Sequence, residues 1–285
     1  MIAKVRRDRT LLVVDTHDVV HLRDADLQRS SLPAEGGMTR EEEIQHLEPF
    51  DLVIAIQNEE QKVLQEMLPD KRVIVAEHAL ETCPRRCRRK SLCFVGSNHS
   101  TNVASILPFI ADSWQQIRAR CPDALLEIVG SVCQNAGLAA AAAIDDRIVL
   151  RGVVPNTADI YDGPAAVICP LLVGSGLKIK LVESLAHGKA TVASPIAAQG
   201  LTTGIGAGFV CAKSPSEFAN AAVRLLTDGE YRNVWERAAL AYAARFDPEA
   251  AYRELWQAIA PCLHAMSNGP DRHAIATPMT LLETA

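Results

Sequence analysis

Short, predominantly apolar runs recur along this chain with helix-length stretches between them, and no other feature narrows its fold as far. "TLLVVD", "FDLVIAIQ" and "KRVIVAE" come first, then "SLCFVG", "ALLEIVG", "RIVLRG", "AAVICP", "KATVAS" and "GAGFVCA". A run with no polar alternate is apolar on both faces, the pattern of a strand buried inside a parallel sheet. The intervening stretches carry helical period or helix-forming composition, as in "NEEQKVLQEML", "VASILPFIADSWQQIRARC" and "LAAAAAI". Strands alternating with helices through both halves predict an α/β protein of two Rossmann-like, doubly wound domains.

A basic, proline-containing run, Cys83 to Lys90, breaks the alternation before "SLCFVGSNHSTN" restarts it. The expected organisation is a first domain over 1–90, a second over 91–262, and a tail, 263–285, of little period and loose order. Three strand runs precede the boundary, fewer than the five or six of a full doubly wound sheet. The N-terminal domain is therefore expected to be incomplete. Its acids Glu41 to Glu43 are expected on a solvated face, Asn58 is expected to cap the next helix, and Trp114 is expected in the core.

At 285 residues and 48% apolar, the chain has enough material for two cores. A net charge of −5 provides no basic field for nucleic acid, so a phosphate-bearing ligand has to be held by a local site. The eight cysteines are scattered, several inside apolar runs where a thiol acts as a small hydrophobe. The tightest group, Cys83, Cys87 and Cys93, lacks the paired spacing and nearby histidines of a zinc site, so no metal is expected. No apolar run reaches the ~18 residues of a membrane span, and the short run near the N-terminus is no signal segment, so the expected location is the cytoplasm.

One stretch concentrates chemistry: "CPLLVGSGLKIKLVESLAHGKATVAS", Cys169 to Ser194. A strand ends in proline, a loop with glycine on both sides of a serine follows, and a helix opens near Lys178. Glycine there lets a ligand approach the backbone, and the free N–H groups of a first helical turn attract an anion. Gly174, Ser175, Gly176 and Leu177 suit a diphosphate, with Lys178 and Lys180 adding full charges. Glu183, one turn on, suits sugar hydroxyls such as a ribose pair. The plainer reading is a tight turn with solvated lysines and a surface glutamate. Neither the three glycines of a dinucleotide fingerprint nor the ending of a Walker A loop is present. His187 and Gly188 read as the helix's C-terminal stop.

From "VVDTHDV" through "FDLVIAIQNEEQKVL", "FVGSNHSTNVASILPFIADSWQQIRARCPDALLEIVG" and "RIVLRGVV" to this stretch, the chain resembles the GT-B fold glycosyltransferases of family 4, the group 1 enzymes. The resemblance spans roughly Leu11 to Phe246. It implies a nucleotide-sugar donor held by the C-terminal domain as a substrate rather than a cofactor. It also implies a glycan, lipid-linked or other acceptor on the N-terminal side, and transfer with retention and without a metal. By the same resemblance, Glu183 matches the glutamate on the donor ribose, Gly174 to Leu177 the loop facing diphosphate and sugar, and Lys180 the lysine beside it. His17 matches the cleft position near the transferred sugar, and it and the adjacent Asp18 are the catalytic candidates, while Val153 and Val154 match the segment near the nucleobase.

Two departures stand out. Ser175 occupies the place where many relatives carry a second, sugar-contacting glutamate, and Ser97, Asn98 and His99 supply none of the basic residues found after "FVG". The resemblance also implies that strands preceding Leu11 in full-length members are missing. A nucleotide-sugar-binding module without turnover, or one completed by a partner chain, is the alternative. An epimerase lacks the acids and histidines for proton abstraction. An uncovered sheet would favour a second copy or the inner face of a membrane as a peripheral contact, although no amphipathic basic helix adds support for the membrane.

Overall fold

All the described strands pair in parallel, in two separate sheets. The structure, a computed structural model, describes residues 10–32 and 37–267. The first sheet has the order β1-β2-β3: β1 (Val13–Asp15), β2 (Leu52–Ala55) and β3 (Arg72–Val75). Its connections carry α1 (Val20–Arg29), α2 (Arg40–Leu47) and α3 (Asn58–Met67). The second sheet opens with β4 (Ser91–Val95). Then α4 (Ser100–Phe109) runs through a wide turn at Ile110–Trp114 into α5 (Gln115–Arg120). β5 (Leu125–Val129), α6 (Ala136–Ile144), β6 (Ile148–Gly152), α7 (Thr157–Tyr161), β7 (Ala166–Cys169), α8 (Ile179–Ala186), β8 (Thr191–Ala193) and β9 (Val210–Cys211) follow.

The second sheet runs β6-β5-β4-β7-β8-β9. Chain order therefore reverses between β4 and β7, and at that switch point the loops leaving the two strands diverge to opposite faces and open a crevice. Alternate residues of each strand feed the two faces. Leu92, Phe94, Leu126 and Ile128 join Trp114 and Phe218 in one core, while Cys93, Val167, Cys169 and Ala193 join Tyr161, Leu181 and Leu185 in the other. Gly130, after β5, has φ 106°, and a Cβ there would lie 2.1 Å from the carbonyl oxygen of Gly96, so the two strand ends approach this closely only without a side chain.

The last helices are α9 (Pro215–Thr227), α10 (Gly229–Ala243), α11 (Pro248–Ala251) and α12 (Arg253–Ser267). The first two cover the second sheet. α12 instead crosses back, and Ala258 packs with Leu52, Ile54, Ile74 and Ala76 on the open face of the first sheet. Glu254 accepts the amide of Val75 at 3.2 Å, and Arg245 grips Glu77 through two nitrogens. The helix continues to Ser267, into the stretch expected to be loose, and residues 268–285 lie outside the described residues. No helix among the described residues is long and apolar enough to cross a membrane.

Two local expectations need correcting. Asn58 is the first helical residue of α3 rather than its cap, and Gln57 in the capping position makes no side-chain cap bond. Glu43 is buried, not solvated: its carboxylate accepts the amides of Val20 (2.8 Å) and His21 (3.1 Å) and meets His21 Nδ1 at 2.6 Å. It stabilises the start of α1, where the exposed N–H groups favour an anion.

Candidate functional site

A cavity of about 250 Å³ lies at the switch point of the second sheet. Its floor is the segment Leu171 to Lys180 after β7, one wall is His99, Thr101 and Asn102 after β4, and the other is Arg23 and Leu27 from α1. The helix that follows β1 and the segments that follow β4 and β7 thus contribute to one space.

The glycine loop is held open by its own conformation. Gly174 (φ 127°) and Gly176 (φ 71°) take backbone angles closed to ordinary side chains, and a Cβ on Gly176 would sit 3.4 Å from carboxylate oxygens of Asp18 and Glu60. Leu177 anchors the loop in the core beside Leu181. Ser175 turns toward the first domain, with its Oγ 3.2 Å from both carboxylate oxygens of Asp18. Asp18 also accepts the amide of Val19 at 3.0 Å, and burial pushes its pKa up against the pull of Arg23, Ser175 and Lys178.

The two lysines face different ways from the solvated pair of the plain reading. Lys178 is buried, and its ammonium is turned back on its own loop, donating to the carbonyls of Ser175 and of Gly176 (2.6 Å). Lys178, expected among the charges offered to a diphosphate, thus lines the cavity while its ammonium braces the loop. Lys180 donates to Asn102 Oδ1 and lies 5.0 Å from the centre of the Phe94 ring. Burial lowers both ammonium groups to about 8, opposed for Lys178 by Asp18 and Glu60 and for Lys180 by Cys169 and Glu183.

Asn102 is the residue that sequence reasoning missed here. Its Nδ2 donates to the carbonyl (3.1 Å) and hydroxyl (3.2 Å) of Ser97 while its Oδ1 takes Lys180, so one buried amide joins the loop after β4 to α8. Ser105 adds a second stitch, accepting the amide of Leu172 at 3.1 Å. The polar "HSTN" start of a helix was the available signal.

Glu183 lies one turn beyond Lys180, outside the cavity lining, and its Oε2 accepts the hydroxyl of Tyr161 at 3.0 Å. Tyr161 stacks on His187 (4.7 Å between ring centres), the cap of α8, with Gly188 in the left-handed conformation after it. Val153 and Val154 follow β6 toward the sheet edge, Val153 exposed and Val154 packed on the Tyr161 core. His17, at the tip of β1, has φ 51° and a largely exposed ring 3.7 Å from Asp15, and it is not part of the cavity wall.

Behind the loop, Gln57 and Glu60 from the tip of β2 and the start of α3 are both buried. Gln57 donates to Glu60 Oε1 at 3.0 Å, and Gln57 Oε1 and Glu60 Oε2 have no partner. Burial, reinforced by the Asp18 charge, pushes Glu60 up to about 7.

A family model for glycosyl transferases group 1 matches residues 89–228, the span that holds the switch point and the glycine loop. No curated protein sequence matches the chain significantly. Among solved structures, it is similar to the pneumococcal O-GlcNAc transferase GtfA in complex with UDP and GlcNAc, at 14% identity and TM-score 0.61 over 78% of this chain and 47% of that one. It is likewise similar to sucrose-phosphate synthase from Thermosynechococcus elongatus (17%, TM-score 0.67, 89% of this chain, 68% of that one). A third likeness is to Anabaena HepE in complex with UDP and glucose (14%, TM-score 0.67, 89% and 72%). The chain thus spans about half the length of the first of these. Residues 89–228 are thus similar to the group 1 glycosyl transferases, and the paired parallel sheets have the GT-B fold of these solved neighbours.

Proposed function

We propose that this chain transfers a sugar from a nucleotide-sugar donor to a hydroxyl of a glycan, lipid-linked or other acceptor, with retention and without a metal. The observation that carries the reading is the cavity at the β4/β7 switch point, floored by a glycine loop that leads into α8. That position is where nucleotides bind in open parallel sheets, and the amides opening a helix suit phosphate oxygens. Solved neighbours of the same fold carry UDP with glucose or with GlcNAc.

In this reading the donor lies along the loop, with its diphosphate over Gly174 to Leu177, its ribose at Glu183 and its base toward Val153 and Val154. Glycosyl–phosphate cleavage builds negative charge on the departing diphosphate. Loop amides, the α8 dipole and the Lys180 ammonium oppose that charge most strongly in the transition state. Tyr161 fixes the Glu183 carboxylate for hydroxyl donors. Asp18 and the exposed His17 face the cleft on the acceptor side, where closure has to exclude water to favour transfer over hydrolysis.

A second reading, donor binding with turnover only beside a partner chain, draws support from the three-stranded first sheet and from the similarity to the GtfA/B complex. Thermal unfolding against UDP, GDP, ADP, CMP and their sugar conjugates tests the site. A ligand at ~100 times its Kd adds ~2.7 kcal/mol. A midpoint shift with one base that Glu183→Ala abolishes supports the donor reading, and no shift with any of them overturns it. Release of nucleoside diphosphate in the presence of acceptor separates the enzyme from the binding module.

A further inference from the structure

Three cationic side chains line the cavity, and two of them donate hydrogen bonds within the chain. Lys178 serves the carbonyls of its own loop, and Lys180 serves Asn102 and the Phe94 ring. Arg23 is different. Its recorded contacts are ion pairs at 3.8 Å, Nη1 to Asp18 Oδ2 and Nε to Asp24 Oδ1, beyond hydrogen-bonding distance, and its Nε is buried without a hydrogen-bond partner. The side chain is 28% exposed, toward the glycine loop. Opposite it, the segment Gly96 to His99 holds no lysine or arginine.

We infer that Arg23 is a further diphosphate-binding cation of the donor site beside Lys180, supplied by the first domain across the cleft. This rests on the donor reading above and adds a residue that reading does not use. A guanidinium presents a planar fork that pairs with two phosphate oxygens and keeps its charge at any working pH. Its present carboxylate neighbours do not saturate it: Asp18 is held by Ser175 and the Val19 amide, and Asp24 accepts the amide of Gly37 at 2.6 Å. A diphosphate on the loop thus completes the coordination of Arg23 and ties the two sheets together through the ligand.

The test is titration calorimetry of the whole chain with UDP, GDP, ADP and CDP, followed by the best of these against Arg23→Gln, Arg23→Lys and Glu183→Ala. The matching nucleoside is followed by ligand-observed NMR. Arg23→Gln is expected to weaken the diphosphate ~10-fold or more while leaving the nucleoside unchanged, and Arg23→Lys to recover part of the loss. Equal affinity of wild type and Arg23→Gln for the diphosphate, with Glu183→Ala impaired, overturns the assignment of Arg23 alone. Equal weakening of diphosphate and nucleoside makes Arg23 a positioning residue for α1 and also overturns it. Absence of binding by the wild type overturns the donor reading itself.

Discussion

Ser175 and Asp18 meet across the cleft between the two sheets, hydroxyl to carboxylate, with 3.2 Å to each oxygen. One follows β7 and the other follows β1, so this contact is where the glycine loop of the second domain touches the first. Removing the hydroxyl leaves Asp18 with the Val19 amide and a distant Arg23. Ser175→Ala is expected to cost ~1 kcal/mol in urea unfolding, and a double-mutant cycle with Asp18→Ala to give a coupling of ~1 kcal/mol. Additive losses would mean that the contact carries no energy.

In the donor reading proposed above, Lys180 sets a pH limit on anion binding. Its folded pKa is about 8, so the free protein loses this charge as pH rises through that value. Affinity for a nucleoside diphosphate is expected to be flat below about pH 7 and to fall, up to ~10-fold per unit, above 8. Lys180→Arg keeps its charge and should abolish the falling limb. Lys178→Arg should retain it, because the Lys178 ammonium points into its own loop. A limb that survives Lys180→Arg would sink this assignment.

Glu60 makes the domain junction sensitive to acid in an unusual direction. Its pKa rises from 4.5 to about 7 on folding, so the folded state binds the proton more tightly. Stability is therefore expected to fall as pH rises from 4.5 to 7, by an amount on the order of 3 kcal/mol. Glu60→Gln removes the titration and should flatten that segment of a pH series of thermal midpoints, with a gain at neutral pH. A wild-type curve that rises over the same interval counts against the buried, unpartnered carboxylate.

Gly130→Ala tests the packing of the strand ends. The added Cβ would meet the Gly96 carbonyl at 2.1 Å, and the residue's φ is 106°. The expected loss exceeds ~2 kcal/mol, read as a lowered urea midpoint. A neutral substitution would show that the two loops have room to separate.

Much of this architecture could be read from the chain itself because buried parallel strands leave an unbroken apolar signature. The runs around Val53, Ile74, Phe94, Ile128 and Ile168 all became strands. Period and composition also located the α8 helix, its His187 cap and the core position of Trp114. What escaped was direction. A lysine in a glycine loop looks the same in sequence whether or not its ammonium also holds the carbonyls of that loop, as Lys178 does. Glu43 looked like part of an acidic surface because its partners, the start of α1 and His21, lie more than twenty residues away. Asn102, Arg23 and the return of α12 depend likewise on long-range packing, which no local pattern records.

That return has a consequence for how the molecule is made. The amide of Val75 meets Glu254, 179 residues further along, and the open face of the first sheet is closed by Ala258. During synthesis the first sheet emerges before α12, with Leu52, Ile54 and Ile74 uncovered, and its cover arrives only with Ala258. The cores of the second sheet are complete slightly sooner, once Phe246 has emerged, although they too reach back as far as Ile56. The half translated first is thus the half completed last, and in that interval its bare face is the surface a chaperone would hold.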